Sequence, residues 1–315
     1  MFYSQIQTKN QQVNLSLLLE KNIQLFIKRE DTIHPFVSGN KFRKLKYNIQ
    51  EAQKEQKDTL LTFGGAYSNH IAATAYAGKM AGMNTIGIIR GEELGEDIEK
   101  TLLTNSTLRE AHNNGMQFHF VSREDYRKKK ELSFIAQLEK QFGEFYLVPE
   151  GGTNELAVKG CEEILTAEDE KFNYICVAVG TGGTLSGIVN SAKRHQKVVG
   201  FPALKGDFLK SEIEPFILDN KNWSLIHEYH FGGYAKFNSE LISFINQFYK
   251  ETGIPLDPIY TGKMLYGILD MAQKDIFPKG SKILALHTGG LQGIEGVNKK
   301  LAKKNQEQIK SINEV

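Results

Sequence analysis

The sequence predicts an α/β fold built on two open, twisted parallel sheets, and three observations carry the prediction. Short apolar runs alternate with helix-length segments along the chain. Nine of these runs read as strands, more than one sheet commonly holds, which favours two sheets in two domains. Glycine pairs stand where strands pass into helices, the junctions at which parallel sheets bind ligands.

The strand candidates are 24–29, 59–63, 84–89, 116–121, 145–148, 174–179, 197–201, 224–229 and 282–287. Helix candidates are 41–56, 69–82, 101–114, 131–141, 154–168, 184–195, 238–252, 261–275 and 291–304. Strands separated by helix-length segments imply βαβ units rather than hairpins. No Pro/Ser-rich linker marks a boundary, so one domain is expected as an insertion in the other.

Composition narrows the function classes. Of 315 residues, 40% are hydrophobic and 24% charged, the balance of a globular protein. The net charge of +2 gives no reason to expect nucleic acid or an anionic membrane as partner. No apolar run reaches bilayer length. The start, MFYSQIQTKNQQ, lacks the basic and apolar regions of a secretory signal, so a cytoplasmic location is expected. Cys161 and Cys176 form no metal spacing, so no metal site is expected, and Cys176 in YICVAV reads as core.

Three junctions stand out. In VAVGTGGTLSG an apolar strand runs into Gly180, Thr181, Gly182 and Gly183, and a helix opens at Thr184. Glycines let the backbone turn sharply, and a helix start adds unmatched N–H groups and partial positive charge, which together cradle a phosphate. No Gly-Lys-Ser/Thr follows, so this is not a P-loop. In TFGGAYSNHIAATA, Ser68 is a natural N-cap, followed by Asn69 and His70 at the start of an apolar helix. In HTGGLQG, Thr288 precedes Gly289 and Gly290 and can offer a neutral hydroxyl to a ring nitrogen or a carboxylate. A fourth segment, SGNKFRKLKYNI, puts Ser38 as a cap and Lys41 in a first helical turn, where the helix dipole disfavours a cation. Read alone, Lys41 is a solvent-facing charge, as are Arg43, Lys44 and Lys46.

Together these segments resemble the fold type II family of pyridoxal phosphate enzymes. The resemblance is nearest to the branch of 1-aminocyclopropane-1-carboxylate deaminases and D-cysteine desulfhydrases. It runs from IKRED (27–31) through GNKFRKL (39–45), SNH (68–70), GTGGT (180–184) and DPIYTGK (257–263) to HTGG (287–290). The resemblance implies two α/β domains with pyridoxal 5′-phosphate in the cleft between them. The large domain would comprise 1–53 and 157–315, the small inserted one 54–156, and the protein would be a homodimer.

By matched position, Lys41 is the lysine that holds the cofactor covalently, residues 180–184 hold its phosphate, and Asn69 bonds its 3′-oxygen. Thr288 lies near its ring nitrogen. Ser68 matches an active-site serine close to the substrate carboxylate, and Tyr260 and Tyr234 (in GGYAK) match tyrosines near the substrate. The resemblance thus implies α,β-elimination on a small amino acid, with D-cysteine the first choice. Deamination of the cyclopropane amino acid is the alternative. The deaminases carry Glu and Leu where this chain has Thr261 and Thr288, and both threonines match the desulfhydrase pattern. Tyr67 replaces the usual Gln before Ser-Asn-His. Two other readings are a cofactor-binding protein without catalysis and a nucleotide-binding oxidoreductase. Against the latter, no acidic residue follows the glycine loop until Asp207.

Overall fold

The computed structural model describes residues 6–219 and 222–310. Residues 1–5 of the MFYSQIQTKNQQ segment lie outside this range. Two parallel-sheet-containing α/β domains are present, as expected. The larger sheet has the order β1 (Asn10–Val13), β2 (Gln24–Lys28), β10 (Lys282–Leu286), β7 (Tyr174–Val179), β8 (Lys197–Pro202), β9 (Trp223–Leu225). All of its pairings are parallel except β1 with β2, which runs antiparallel. The smaller sheet has the order β5 (Met116–Val121), β4 (Asn84–Arg90), β3 (Thr59–Gly65), β6 (Tyr146–Val148) and is parallel throughout.

The apolar strands are continuous because both faces of the large sheet are covered. Ile175, Val177 and Val179 of β7 pack one way, with Leu185 and Ile188 of the helix Gly183–Ser191. Cys176 and Ala178 pack the other way, toward Ile245 and Phe248 of the helix Ser239–Thr252 and Leu265 and Ile268 of the helix Thr261–Gln273. Each fully buried Ile or Leu contributes roughly 1.5–3 kcal/mol by leaving water. The helix Asn40–Lys54 packs Phe42, Leu45, Ile49 and Ala52 against Leu60 and Val148 of the small sheet.

Four expectations are corrected. β1 was not anticipated, since NQQV carries one apolar residue; as an antiparallel edge it needs few. The strand expected at 224–229 is a three-residue edge, Trp223–Leu225. The helix expected at 101–114 is two helices, Ile98–Thr104 and Ser106–Asn113, broken where Asn105 leaves helical geometry and its Oδ1 accepts from the N–H of Leu108. The helix after Gly290 begins at Ile294, following a single 3-10 turn.

Candidate active site

The junctions after β3, β7 and β10 converge with the start of the helix Asn40–Lys54. That helix is not capped by Ser38, whose hydroxyl instead donates to the Asp31 carbonyl at 3.1 Å. Gly39 makes the turn with φ +63°, and a Cβ there would stand 1.9 Å from the Thr288 carbonyl oxygen. Only glycine lets the two backbone segments approach so closely. Asn40 then ties the junctions together. Its N–H donates to Thr288 O at 3.3 Å, and its Nδ2 donates to Thr184 Oγ1 at 2.8 Å. Its Oδ1 accepts from Lys41 Nζ at 2.9 Å.

Lys41 is therefore not a surface lysine. Burial, and secondarily the charge of Lys44, pulls its amine from the usual 10.5 down to about 7. The reading of Arg43, Lys44 and Lys46 as solvent-facing is also overturned: all three are buried. Arg43 Nε pairs with Glu30 at 3.0 Å and Lys46 with Glu163 at 2.7 Å. Lys44 Nζ donates to Gly151 O and Thr153 Oγ1, each at 3.0 Å, and lies 3.3 Å from where a Gly183 Cβ would be. Burial lowers its pKa as well.

The glycine loop is built for close approach. Gly182 has φ +86°, and no side chain caps the helix Gly183–Ser191 that it opens. A Cβ at Gly180 would stand 3.2 Å from the Tyr260 ring, and one at Gly183 would stand 2.9 Å from Thr153. Thr181 Oγ1 meets Thr153 Oγ1 at 2.6 Å.

Across the cleft, Ser68 caps the helix Asn69–Ala81 as expected, its Oγ accepting from the Ile71 N–H at 3.4 Å. Among the described residues Asn69 Oδ1 is buried without a hydrogen-bond partner, and Asn69 Nδ2 lies 3.3 Å from a Gly290 Cβ position. His70 Nε2 lies 2.8 Å from Thr62 Oγ1, whose proton goes to Val148 O, so Nε2 carries the histidine's hydrogen. Burial, then Lys41 and Lys44, keep His70 neutral, well below 6.5. Thr288 is buried beside Gly39.

Tyr260 is partly buried at the N-terminus of the helix Thr261–Gln273, with its hydroxyl pKa pushed well above 10 by desolvation and then by Tyr234 and Asp257. The Tyr234 and Tyr260 rings lie 6.2 Å apart, and the two hydroxyls influence each other's titration. The Asp257 carboxylate accepts from the N–H groups of Ile259, Tyr260 and Thr261 and from Thr261 Oγ1. Thr261 is thus committed to its own helix start. Tyr67 is half exposed, packs against Gly296 and lies under Lys300 Nζ at 5.3 Å. The predicted residues Lys41, Asn69, Thr184, Tyr234, Tyr260 and Thr288 therefore come together. Asn40, Lys44, Thr153 and Asp257 were missed. Asn40 and Lys44 had a signal in their spacing around Lys41, but Thr153 had none.

A phosphorylated cofactor fits what is present. The buried Asn69 oxygen lacks a partner among the described residues, the glycine loop opens an uncapped helix, and two lysine amines reach it, Lys44 beside Gly183 and Lys41 through Asn40. Two parallel-sheet domains whose ligand-binding junctions face a lysine of lowered pKa define a cofactor-dependent α/β enzyme. The chain belongs to the family described as pyridoxal-phosphate dependent enzyme, which matches residues 8–289, and its cofactor is pyridoxal 5′-phosphate. It is 33% identical over 302 residues to the mitochondrial bifunctional D-cysteine desulfhydrase/1-aminocyclopropane-1-carboxylate deaminase of Arabidopsis thaliana, covering 88% of this chain and 74% of that one. It is 27% identical over 293 residues to the D-cysteine desulfhydrase of Klebsiella pneumoniae strain 342, covering 85% and 87%. A crystal structure described as an ACC deaminase homologue matches with a TM-score of 0.78 at 28% identity, covering 95% of this chain and 94% of that one.

Proposed function

We propose that the protein catalyses α,β-elimination on a small amino acid, D-cysteine first, giving pyruvate, ammonia and sulfide with uptake of one water. The observation that carries this reading is the Lys41 amine, lowered to about 7 and lying beside an uncapped, glycine-led helix start. When bound, pyridoxal phosphate supplies an electron sink for the substrate α-carbon.

This chain's residues supply the rest. Lys41 holds the cofactor and, once released by substrate, its neutral amine takes the α-proton. The 180–184 backbone and Lys44 would hold the phosphate, and Asn69 would bond the 3′-oxygen, since its two amide ends are interchangeable by rotation. The Thr288 hydroxyl would serve the ring nitrogen. Ser68 and the Tyr260–Tyr234 pair position the substrate and assist proton transfer at its β-group. Thr261 and Thr288 favour elimination over cyclopropane opening. We further propose a cytoplasmic homodimer with units 1–53 plus 157–315 and 54–156, the helix Asn40–Lys54 packing on both. Among the described residues no helix is long and apolar enough to cross a membrane.

The test is a panel of D-cysteine, 1-aminocyclopropane-1-carboxylate, D-serine and L-cysteine, read for pyruvate, 2-oxobutanoate and sulfide. Sulfide with pyruvate from D-cysteine, lost in Lys41→Ala, is the expected result. 2-Oxobutanoate from the cyclopropane substrate without sulfide from D-cysteine overturns the choice, and native turnover in Lys41→Ala overturns the mechanism.

A further inference from the structure

The loop that carries Tyr234 is held in an unfavourable conformation. Between His230 and Lys236, Phe231 (φ +52°), Gly232 (+88°), Gly233 (+109°) and Ala235 (+55°) all lie in the left-handed half of backbone space. Two of these are not glycine, so Cβ sterics oppose the conformation and surrounding contacts must hold it. The loop's own hydrogen bonds are internal: Gly233 N–H to His230 O, Lys236 N–H to Gly233 O, and Gly232 N–H to His230 Nδ1. Among the described residues, its hydrogen bonds to the rest of the chain come from Lys263, whose Nζ donates to His230 O and to Gly233 O, each at 2.8 Å. The Tyr234 ring itself lies 6.2 Å from that of Tyr260.

Lys263 is 2% exposed and sits in the first turn of the helix Thr261–Gln273, where the helix dipole disfavours a cation. An ammonium is costly to bury unless its protons are satisfied. Here they go to backbone carbonyls three residues apart, and no described carboxylate hydrogen-bonds it. Tyr260 lies three residues before it on the same segment. One short stretch therefore supplies one tyrosine of the pair and grips the loop that supplies the other.

We propose that Lys263 is a positioning residue, whose ammonium ties the carbonyls of His230 and Gly233 to the helix Thr261–Gln273 and so holds the Tyr234 ring beside Tyr260. Its consequence for turnover rests on the reading of the tyrosine pair given above; its consequence for the loop does not.

The test is made on the cofactor-loaded protein with Lys263→Met, which keeps the side chain's bulk and removes its donors. Amide hydrogen exchange over 231–236 should quicken by roughly ten-fold or more, with exchange in β7 unchanged. With whichever substrate of the panel turns over, Lys263→Met should lower kcat/KM roughly ten-fold in the native background. In Tyr234→Phe the further loss should be less than about two-fold, because two residues acting as one unit are not additive. Native loop exchange, or fully additive losses, would overturn the proposal. If no substrate turns over, the function reading fails while the exchange result still decides this one. Should Lys263→Met not fold, Lys263→Leu removes the donors with a smaller side chain, and native loop exchange in it is equally contrary.

Discussion

Lys41 and Lys44 lie one helical turn apart, and both turn inward. Burial is the first cause of each lowered pKa, and Lys44 is the second cause for Lys41. Removing Lys44 should therefore act twice. Lys44→Met should raise the Lys41 pKa above about 7, seen as an alkaline shift in the pH dependence of amine labelling of the apoprotein. It should also weaken pyridoxal phosphate binding about ten-fold, or about 1.4 kcal/mol, by titration. An unshifted labelling profile would count against the coupling. At this scale the sequence was least legible. NKFRKLKY carries four cations in eight residues and reads as a wet helix face. The partners that bury it, Glu30, Gly151, Thr153 and Glu163, are remote in sequence, and nothing local announces them. The glycine loop was legible because its signal is local: strand, glycines and helix follow in the order a phosphate cradle needs.

Elements were read more accurately than residues, because apolar periodicity is written within each one. The failures came where an element is short or polar, as in β1, or where a cap cuts a periodic stretch, as at Asn105. The start of the helix Asn40–Lys54 is the junction on which the site depends, and two glycine variants test why. Gly82 ends the helix Asn69–Ala81 at φ +69° with nothing within 4 Å of a Cβ. Gly82→Ala should cost only backbone strain, about 1 kcal/mol. Gly39→Ala meets a steeper backbone penalty, since φ +63° with ψ −144° is a region nearly reserved for glycine, and adds a Cβ 1.9 Å from the Thr288 carbonyl, which is backbone and cannot swing aside. It should cost on the order of 3 kcal/mol or more and pull Asn40 off both Thr288 and Thr184. Urea denaturation of the two apoproteins measures the difference; equal losses would mean that the close approach at Gly39 is not required.

At the scale of the whole molecule, two sheets were expected from the number of strands, and two are found among the described residues. What no strand count reveals is that the folded chain withholds protons from several buried groups at once. Lys41 is lowered to about 7, Lys263 to about 8, and Lys44 is lowered too, whereas all three keep the ordinary 10.5 when unfolded. Below about pH 7 both states hold these protons, and the full cost of burying the charges weighs on the fold. As pH rises past about 7 and then about 8, the folded protein sheds protons that the unfolded chain retains. Stability must then increase with pH, by at most about 1.4 kcal/mol per pH unit for each lysine. His70, held neutral well below 6.5, acts with the same sign at lower pH. The opposite sign enters above about pH 9, where the buried thiols of Cys161 and Cys176 and then Tyr260 keep protons that the unfolded chain loses. The apoprotein should therefore gain stability from about pH 7 to about pH 9 rather than peak near neutrality, by urea denaturation across that range. Lys41→Met should flatten the lower part of the rise. Covalent loading with pyridoxal phosphate should flatten it similarly, since Lys41 then no longer titrates as a free amine. A stability that falls from pH 7 to about 9 would mean that these amines stay charged in the fold, and a charged Lys41 cannot take a proton from substrate.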